Sequence, residues 1–444
     1  MTTTAPSARP TAYRWFALFI LFVVALFNYV DRSILAILQV PVKAELNLSD
    51  TQLGALTGLA FALLYTTLAL PIARLADRTV RTRLLSAALT IWSGMTALSG
   101  LATNFATLVV CRMGVALGEA GCVPATHSLI SDYFQRHQRA TALALWGLSM
   151  PLGVMLGLAF GGWLAENVGW RQAFIGIGLF GVAFAPIVWL ALREPPRGRY
   201  DPPPQQQAQA QSFMAQVQVL WRLKAFRYAA LAGAMIALVQ HSVTNWNAPF
   251  YDRVHRVPLA EASYYLAVIM GLGGGLGTFL GGVAADRLGK RDVRWYLGAP
   301  ALACLLMAPV GLVQYFADSV QISFAAAFLA NLLVHVYLAP IVATSQTLVP
   351  ANMRAFTSAM LVLTVNLLGM GIGPLGVGAA SDLLVAAFGM ETDSLRYAIS
   401  LSLFFCLPAA WLFWAAARRL PTEMRGESAE GEPDFIPGAA PQRH

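Results

Sequence analysis

The chain has 444 residues, of which 57% are hydrophobic and only 12% charged, with a formal net charge of +8. Soluble domains carry roughly twice that share of charged residues, so most of this surface must face lipid, and a water-soluble globular protein is excluded. The basic excess falls in short clusters between apolar stretches rather than along one polar face, which argues against nucleic-acid binding.

Apolar stretches long enough to cross a hydrocarbon core of roughly 30 Å recur along the chain. The first, from Trp15 to Val40, is too long for the apolar core of a cleavable signal peptide and is interrupted by Asp31 and Arg32, so it is expected to stay as a spanning helix. Spans are predicted near 15–40, 50–73, 84–102, 105–130, 139–163 and 170–192, then near 226–248, 262–284, 295–316, 321–347, 355–382 and 396–417. The expected fold class is therefore an all-α membrane protein with twelve transmembrane helices in two similar halves. By position these give a cytoplasmic N-terminus (1–14), an N-terminal six-helix half (15–192), a cytoplasmic linker (193–225), a C-terminal six-helix half (226–417) and a cytoplasmic tail (418–444).

The linker turns polar, with Pro202 to Pro204 followed by Gln205 to Gln207, a composition that cannot bury enough apolar surface to fold alone. Its stretch from Ser212 to Leu223 fits either an amphipathic helix at the membrane interface or a solvated helix. The Gly-, Pro- and Glu-rich tail is expected to be disordered. Most of the 30 Lys and Arg residues sit at the termini, in the linker and in the loops leaving even-numbered spans. That bias places both termini on the cytoplasmic side of a bacterial-type inner membrane. Cys111, Cys122, Cys304 and Cys406 fall inside apolar segments without metal-ligand spacing and read as small buried hydrophobes.

Two loops repeat a pattern. The second span is followed by Ala73, Asp77, Arg78, Arg81 and Arg83, and the eighth by Gly282, Asp286, Arg287, Gly289, Lys290 and Arg291, aligned on their Asp-Arg pairs. A carboxylate at a helix end beside arginines forms a latch that can make and break between states; basic loops that only set topology are the plainer reading. The fifth span carries Gly147, Pro151, Gly153, Gly157, Gly161 and Gly162, small residues at helical spacing that allow two backbones to approach closely.

Ionisable residues inside spans are the most informative, because a charge in hydrocarbon costs several kcal/mol unless it faces a cavity or a partner. The first span holds Asn28, Tyr29, Asp31 and Arg32; the fourth holds Arg112 and Glu119, seven residues and two helical turns apart on one face. A carboxylate held near an arginine can exchange a proton as its surroundings change between wet and dry. A static buried ion network is the alternative. The second half offers neutral groups, namely Gln240, His241, Asn245 and Trp246, then Asn331, His335 and Tyr337, and finally Asn366, which suit either cavity lining or hydrogen bonds between helices.

The paired loops resemble those of the major facilitator superfamily, with the second copy the better match since Ala73 and Val80 replace glycines of the first. The fifth-span pattern resembles, in part, that family's Gly-Pro motif. Asn-Tyr-x-Asp-Arg at Asn28 to Arg32, with Arg112 and Glu119-Ala120-Gly121, resembles the spinster-like branch, which includes exporters of sphingolipids and lysophospholipids. The resemblance implies protonation and switching at Asp31 and Glu119, with Arg32 and Arg112 as charge partners, or Arg112 as holder of an anionic head group. It implies latch roles for Asp77, Arg78, Arg81, Asp286, Arg287, Lys290 and Arg291. The expected activity is proton-coupled secondary transport of an amphipathic lipid or organic anion; a broad-specificity drug or organic-acid transporter is the alternative. No nucleophile with its base, metal set or phosphate loop has credible spacing, and the Gly271 to Gly282 run reads as close packing, so neither an enzyme nor a cofactor is expected. Protons, membrane lipids and a small amphipathic or anionic substrate are the expected partners, without nucleic acid. A monomer is expected to suffice, since one chain holds both halves.

Overall fold

A computed structural model describes residues 11–200, 213–350 and 353–424 of the chain, so residues 1–10, 201–212, 351–352 and 425–444, including Ser212 and most of the polar tail, lie outside it. Every regular element among the described residues is helical. Twelve long helical stretches follow in order: α1 (Thr11–Leu46), α2 (50–78), α3 (Arg81–Ser99), α4 (Phe105–Tyr133), α5 (136–167), α6 (Trp170–Ala191), α7 (Lys224–His255), α8 (Leu259–Gly289), α9 (Trp295–Phe316), α10 (Val320–Thr347), α11 (Arg354–Phe388) and α12 (Ser394–Met424). Among the described residues, ten helices are long and apolar enough to cross a membrane on their own, or eleven if α7 is joined to the linker helix Phe213–Arg222, from which it is bent by 92°. The third predicted span, α3, falls short, because Arg81, Arg83 and several hydroxyl side chains dilute its apolar run. In the linker helix Leu220 is buried while Met214 and Trp221 are exposed, the two-sidedness of an amphipathic helix.

The helices start where the chain supplies partners for free N–H groups. Ser49 and Gln52 form a capping box at the head of α2, and Asn104 with Thr107 forms another at the head of α4. Gly169, at φ +94°, makes the turn into α6 that a residue with a Cβ would resist. Both α2 and α8 contain a π turn, at Ala55–Leu59 and Ile269–Gly273, a local widening that is frequent at functional sites.

The chain forms two compact units: Met1–Ala208 with Thr244–Gly271 and Pro374–Leu395, and Gln209–Val243 with Leu272–Gly373 and Arg396–His444. In the first unit α3 packs along α6 and α4, α2 along α4, and α1 along α5. In the second the pairings repeat one half later: α9 packs along α12 and α10, α8 along α10, and α7 meets α11 where Gly369 lies on Ala237. This repetition is the internal similarity of the halves seen as packing. The glycine stripe of α5 works as expected, since a Cβ at Gly153, Gly157 or Gly161 would run into Tyr29, Ser33 or Ile34 of α1. The Gly-rich run of α8 is helical, with Gly277 and Gly281 against the carbonyls of Leu332 and Val336. All four cysteines are free and buried.

Candidate functional site

The first unit encloses a charged cluster built from four helices. Helix α4 is continuous to Glu119, turns at Ala120 and Gly121, and resumes at Cys122. Pro124 accounts for the break, since it has no N–H to offer the carbonyl four residues earlier. Glu119, fully buried, accepts from Arg32 Nε of α1 at 2.6 Å. Two turns away, Arg112 Nη1 lies 3.7 Å from Asp31 Oδ1, too long for a hydrogen bond but close enough for ion pairing. Thr96 of α3 donates to Asp31 Oδ2 at 2.8 Å. The two carboxyls lie within electrostatic range of each other as well as of both arginines.

Aromatic rings complete the setting. The Arg32 guanidinium lies 4.5 Å from the Tyr65 ring centre, 5.1 Å from Phe61 and 5.9 Å from Tyr29, while Arg112 lies 5.7 Å from Phe61. Phe61 and Tyr65 stack on each other just past the π turn of α2. Cation–π contact offsets part of the cost of burying the Arg112 guanidinium and half-burying that of Arg32. The ion pairing is nonetheless incomplete: Asp31 Oδ1, Glu119 Oε1, Arg112 Nε and Nη1, and Asn28 Nδ2 are buried without a hydrogen-bond partner. Buried polar atoms are nearly always paired, so these donors and acceptors are open to a proton, a water or an anionic group.

The second unit holds a neutral cluster. His335 Nδ1 bonds the Asn331 carbonyl at 2.8 Å and its Nε2 meets Gln240 Nε2 at 2.9 Å, which makes Nε2 the acceptor, while the Tyr337 hydroxyl donates to Gln240 Oε1 at 3.3 Å. The sequence-predicted Gln240, Asn331, His335 and Tyr337 thus come together. Trp246 does not join them; it is fully buried in the first unit with its indole N–H on the Pro374 carbonyl at 2.9 Å, a helix-pairing contact. Asn245 offers its carbonyl to Gln39 in the same unit. His241 and Asn366 are half-buried.

The two loop copies differ. Arg81 is almost wholly buried, bonding Asp132, Glu194 Oε1 at 2.6 Å, Ser128 at 2.7 Å and the Pro195 carbonyl at 3.1 Å. Glu194 also accepts from the Thr82 N–H, and Asp132 from the Gly198 N–H. Arg78, Asp286, Arg287, Lys290 and Arg291 are exposed, and the Asp77 side chain is outside the described set. Asp132 and Glu194 were missed in the sequence, since each looks like an ordinary charge at the end of an apolar stretch. Thr96, Phe61 and Tyr65 carried no signal beyond composition.

Two helical halves with repeated packing, and ionisable groups buried within spans, define a polytopic membrane transporter. The Major Facilitator Superfamily model matches residues 21–374, and the chain belongs to that superfamily. It is 31% identical to a Mycolicibacterium smegmatis "MFS-type efflux pump", over 91% of this chain and 93% of that one. It is 24% identical to the Danio rerio "Sphingosine-1-phosphate transporter SPNS2" over 88% of this chain and 81% of the relative. Among solved structures, a bacterial homolog to the human lysosomal transporter Spinster, inward-facing and unoccupied, is 28% identical with a TM-score of 0.86, covering 94% of this chain and 99% of that one. These similarities bear out the resemblance to the spinster-like branch.

Proposed function

We propose that the protein is a proton-coupled secondary transporter of an amphipathic lipid or organic anion, working by alternating access in a bacterial inner membrane with both termini cytoplasmic. The observation that carries the reading is the buried cluster of Asp31, Arg32, Arg112 and Glu119, in which two carboxylates face two guanidiniums and neither arginine-carboxylate pair is fully bonded. Such a cluster can take up a proton at one carboxylate while the arginine it releases turns to an anionic head group, which links the two events. Arg112 is the candidate for that head group, since two of its nitrogens have no acceptor. Asp31 and Glu119 are the candidate proton carriers, and the neutral Gln240–His335–Tyr337 cluster is the candidate cavity wall of the second half.

The sphingosine-1-phosphate transporter among the relatives supports an anionic lipid, a long apolar tail under a charged head. The efflux pump, more similar over more of its length, supports a second reading, broad-specificity export of drugs or organic acids by the same carboxylates. Flux of labelled lysophospholipid, sphingoid phosphate and organic anions by proteoliposomes, with and without a pH gradient, separates them. Gradient-dependent lipid flux is expected; flux confined to drugs or organic acids favours the second reading, and flux indifferent to the gradient removes proton coupling. Arg112→Lys is expected to weaken anion binding about tenfold or more, because an ammonium cannot reproduce the bidentate fork; undiminished binding would reduce Arg112 to charge balance.

A further inference from the structure

Where the linker helix Phe213–Arg222 meets the head of α7 and the end of α12, all within the second unit, the chain gathers positive charge and aromatic rings. Residues 213–228 and 411–424 carry Arg222, Lys224, Arg227, Arg418 and Arg419 against a single carboxylate, Glu423. That carboxylate is engaged within the fold. Both its oxygens accept the Ala225 N–H at 3.0 Å, which caps the head of α7 and ties the end of α12 to it. It also stands within electrostatic range of Lys224 and Arg419. These stretches hold no further carboxylate for Arg222, Arg227 or Arg418.

The arginines rest on rings instead. The Arg227 guanidinium lies 5.5 Å from the Trp221 ring centre, that of Arg418 4.4 Å from Trp414, and that of Arg419 5.9 Å from Tyr228. A guanidinium against a ring keeps N–H groups on its edge for an anion, in the fork that matches two phosphate oxygens. Arg227 Nε is buried without a hydrogen-bond partner, although buried donors are nearly always paired. The rings are themselves conspicuous. Trp221 is 68% exposed, and Met214, two helical turns earlier on the same face of the linker helix, is exposed with it, as is Trp414 of α12. Such side chains are poorly placed in water and well placed at the boundary of headgroups and acyl chains. The 92° bend supplies the orientation: with α7 crossing the membrane, the linker helix runs along its surface.

We propose that this surface is a binding site for an anionic phospholipid of the adjoining leaflet. Arg227 holds the headgroup phosphate, Arg222, Arg418 and Arg419 surround it with charge, and Trp221 and Trp414 lie along the glycerol and the upper acyl chains. Charge complementarity selects this occupant over a zwitterionic lipid, since the arginines face no competing carboxylate. The site does not depend on which substrate is carried, on whether protons drive transport, or on which side of the membrane the linker lies.

Native mass spectrometry of the full chain, released from neutral detergent micelles titrated with phosphatidylglycerol or phosphatidylcholine, reads the affinity of the first bound lipid. Phosphatidylglycerol is expected to bind more tightly. Arg227→Gln should weaken it about fivefold and the double change Arg227→Gln, Arg418→Gln about 25-fold, with phosphatidylcholine unaffected. Should Arg227→Gln purify poorly, Arg222→Gln with Arg418→Gln, both exposed positions, tests the same surface with the same expected loss. Arg354→Gln removes an exposed arginine elsewhere in the unit and is expected to leave binding as it was. Unchanged phosphatidylglycerol affinity in the site variants would overturn the proposal, and an equal loss in Arg354→Gln would reduce it to general charge. Displacement of the lipid by inorganic phosphate would assign the site to a soluble anion instead. Binding seen only after removal of residues 425–444 would also contradict it, because Glu427, Glu430, Glu432 and Asp434 of the chain's own tail would then be the occupant.

Discussion

Arg81 and Arg112 are both buried guanidiniums, 1% and 3% exposed, yet their surroundings are opposite. Every nitrogen of Arg81 has an acceptor, two of them carboxylates, and the segment after α6 wraps around it through Glu194 and Pro195. Arg112 has one carboxylate at ion-pair distance and two nitrogens, Nε and Nη1, without a hydrogen-bond partner. A saturated buried charge is a joint: it ties α3, α4 and the chain beyond α6 together and has no valence left for anything that moves. An unsaturated one is costly to the fold and persists where its free valence is used. The contrast separates the motif arginine, which topology alone would place at a loop, from the arginine of the candidate transport site.

The comparison can be broken by substitution, and the largest effect belongs to Arg81. Arg81→Ala strands Asp132 and Glu194 and is expected to cost about 3–5 kcal/mol, read as loss of monodisperse protein on mild heating. Thermal behaviour like that of the parent would show that the joint is dispensable. Thr96→Ala removes a hydroxyl that fixes Asp31 and is expected to slow gradient-driven flux about tenfold with little change in thermal stability, the signature of a positioning residue. A matching loss of stability would make Thr96 structural instead. The smallest effect is expected from Tyr337→Phe, which deletes the long hydroxyl bond to Gln240; about 0.6 kcal/mol is typical of such interhelical bonds, so heat stability should barely move. A drop as large as that of Arg81→Ala would mean the neutral cluster is a joint as well.

Much of the fold was legible because membrane helices announce themselves by length and apolarity, and the glycine spacing of α5 foretold a close backbone approach, though not that α1 would be the partner. The Asp31, Arg32, Arg112 and Glu119 set was legible for a related reason: charges inside spans are conspicuous, and seven residues in a helix return to the same face. What joins across long sequence separations was not. Asp132 and Glu194 reach Arg81 from 51 and 113 residues away, and Arg253 reaches Asp50 from 203. Each sits near a span end, where a charge usually faces water, so nothing local distinguishes it. Trp246, chosen as a cavity residue for its polar tip, spends that tip on the Pro374 carbonyl, a choice made by a helix more than a hundred residues downstream.

The most direct test of the account compares two modes of transport in the same proteoliposomes for wild type, Asp31→Asn and Glu119→Gln, using whichever substrate the flux screen identifies. One mode is uptake driven by a pH gradient; the other is exchange of substrate for substrate with no gradient. If the two carboxylates carry protons, both variants should lose gradient-driven uptake while keeping exchange. Unaltered gradient-driven uptake in both would contradict the account and leave the cluster a static ion network.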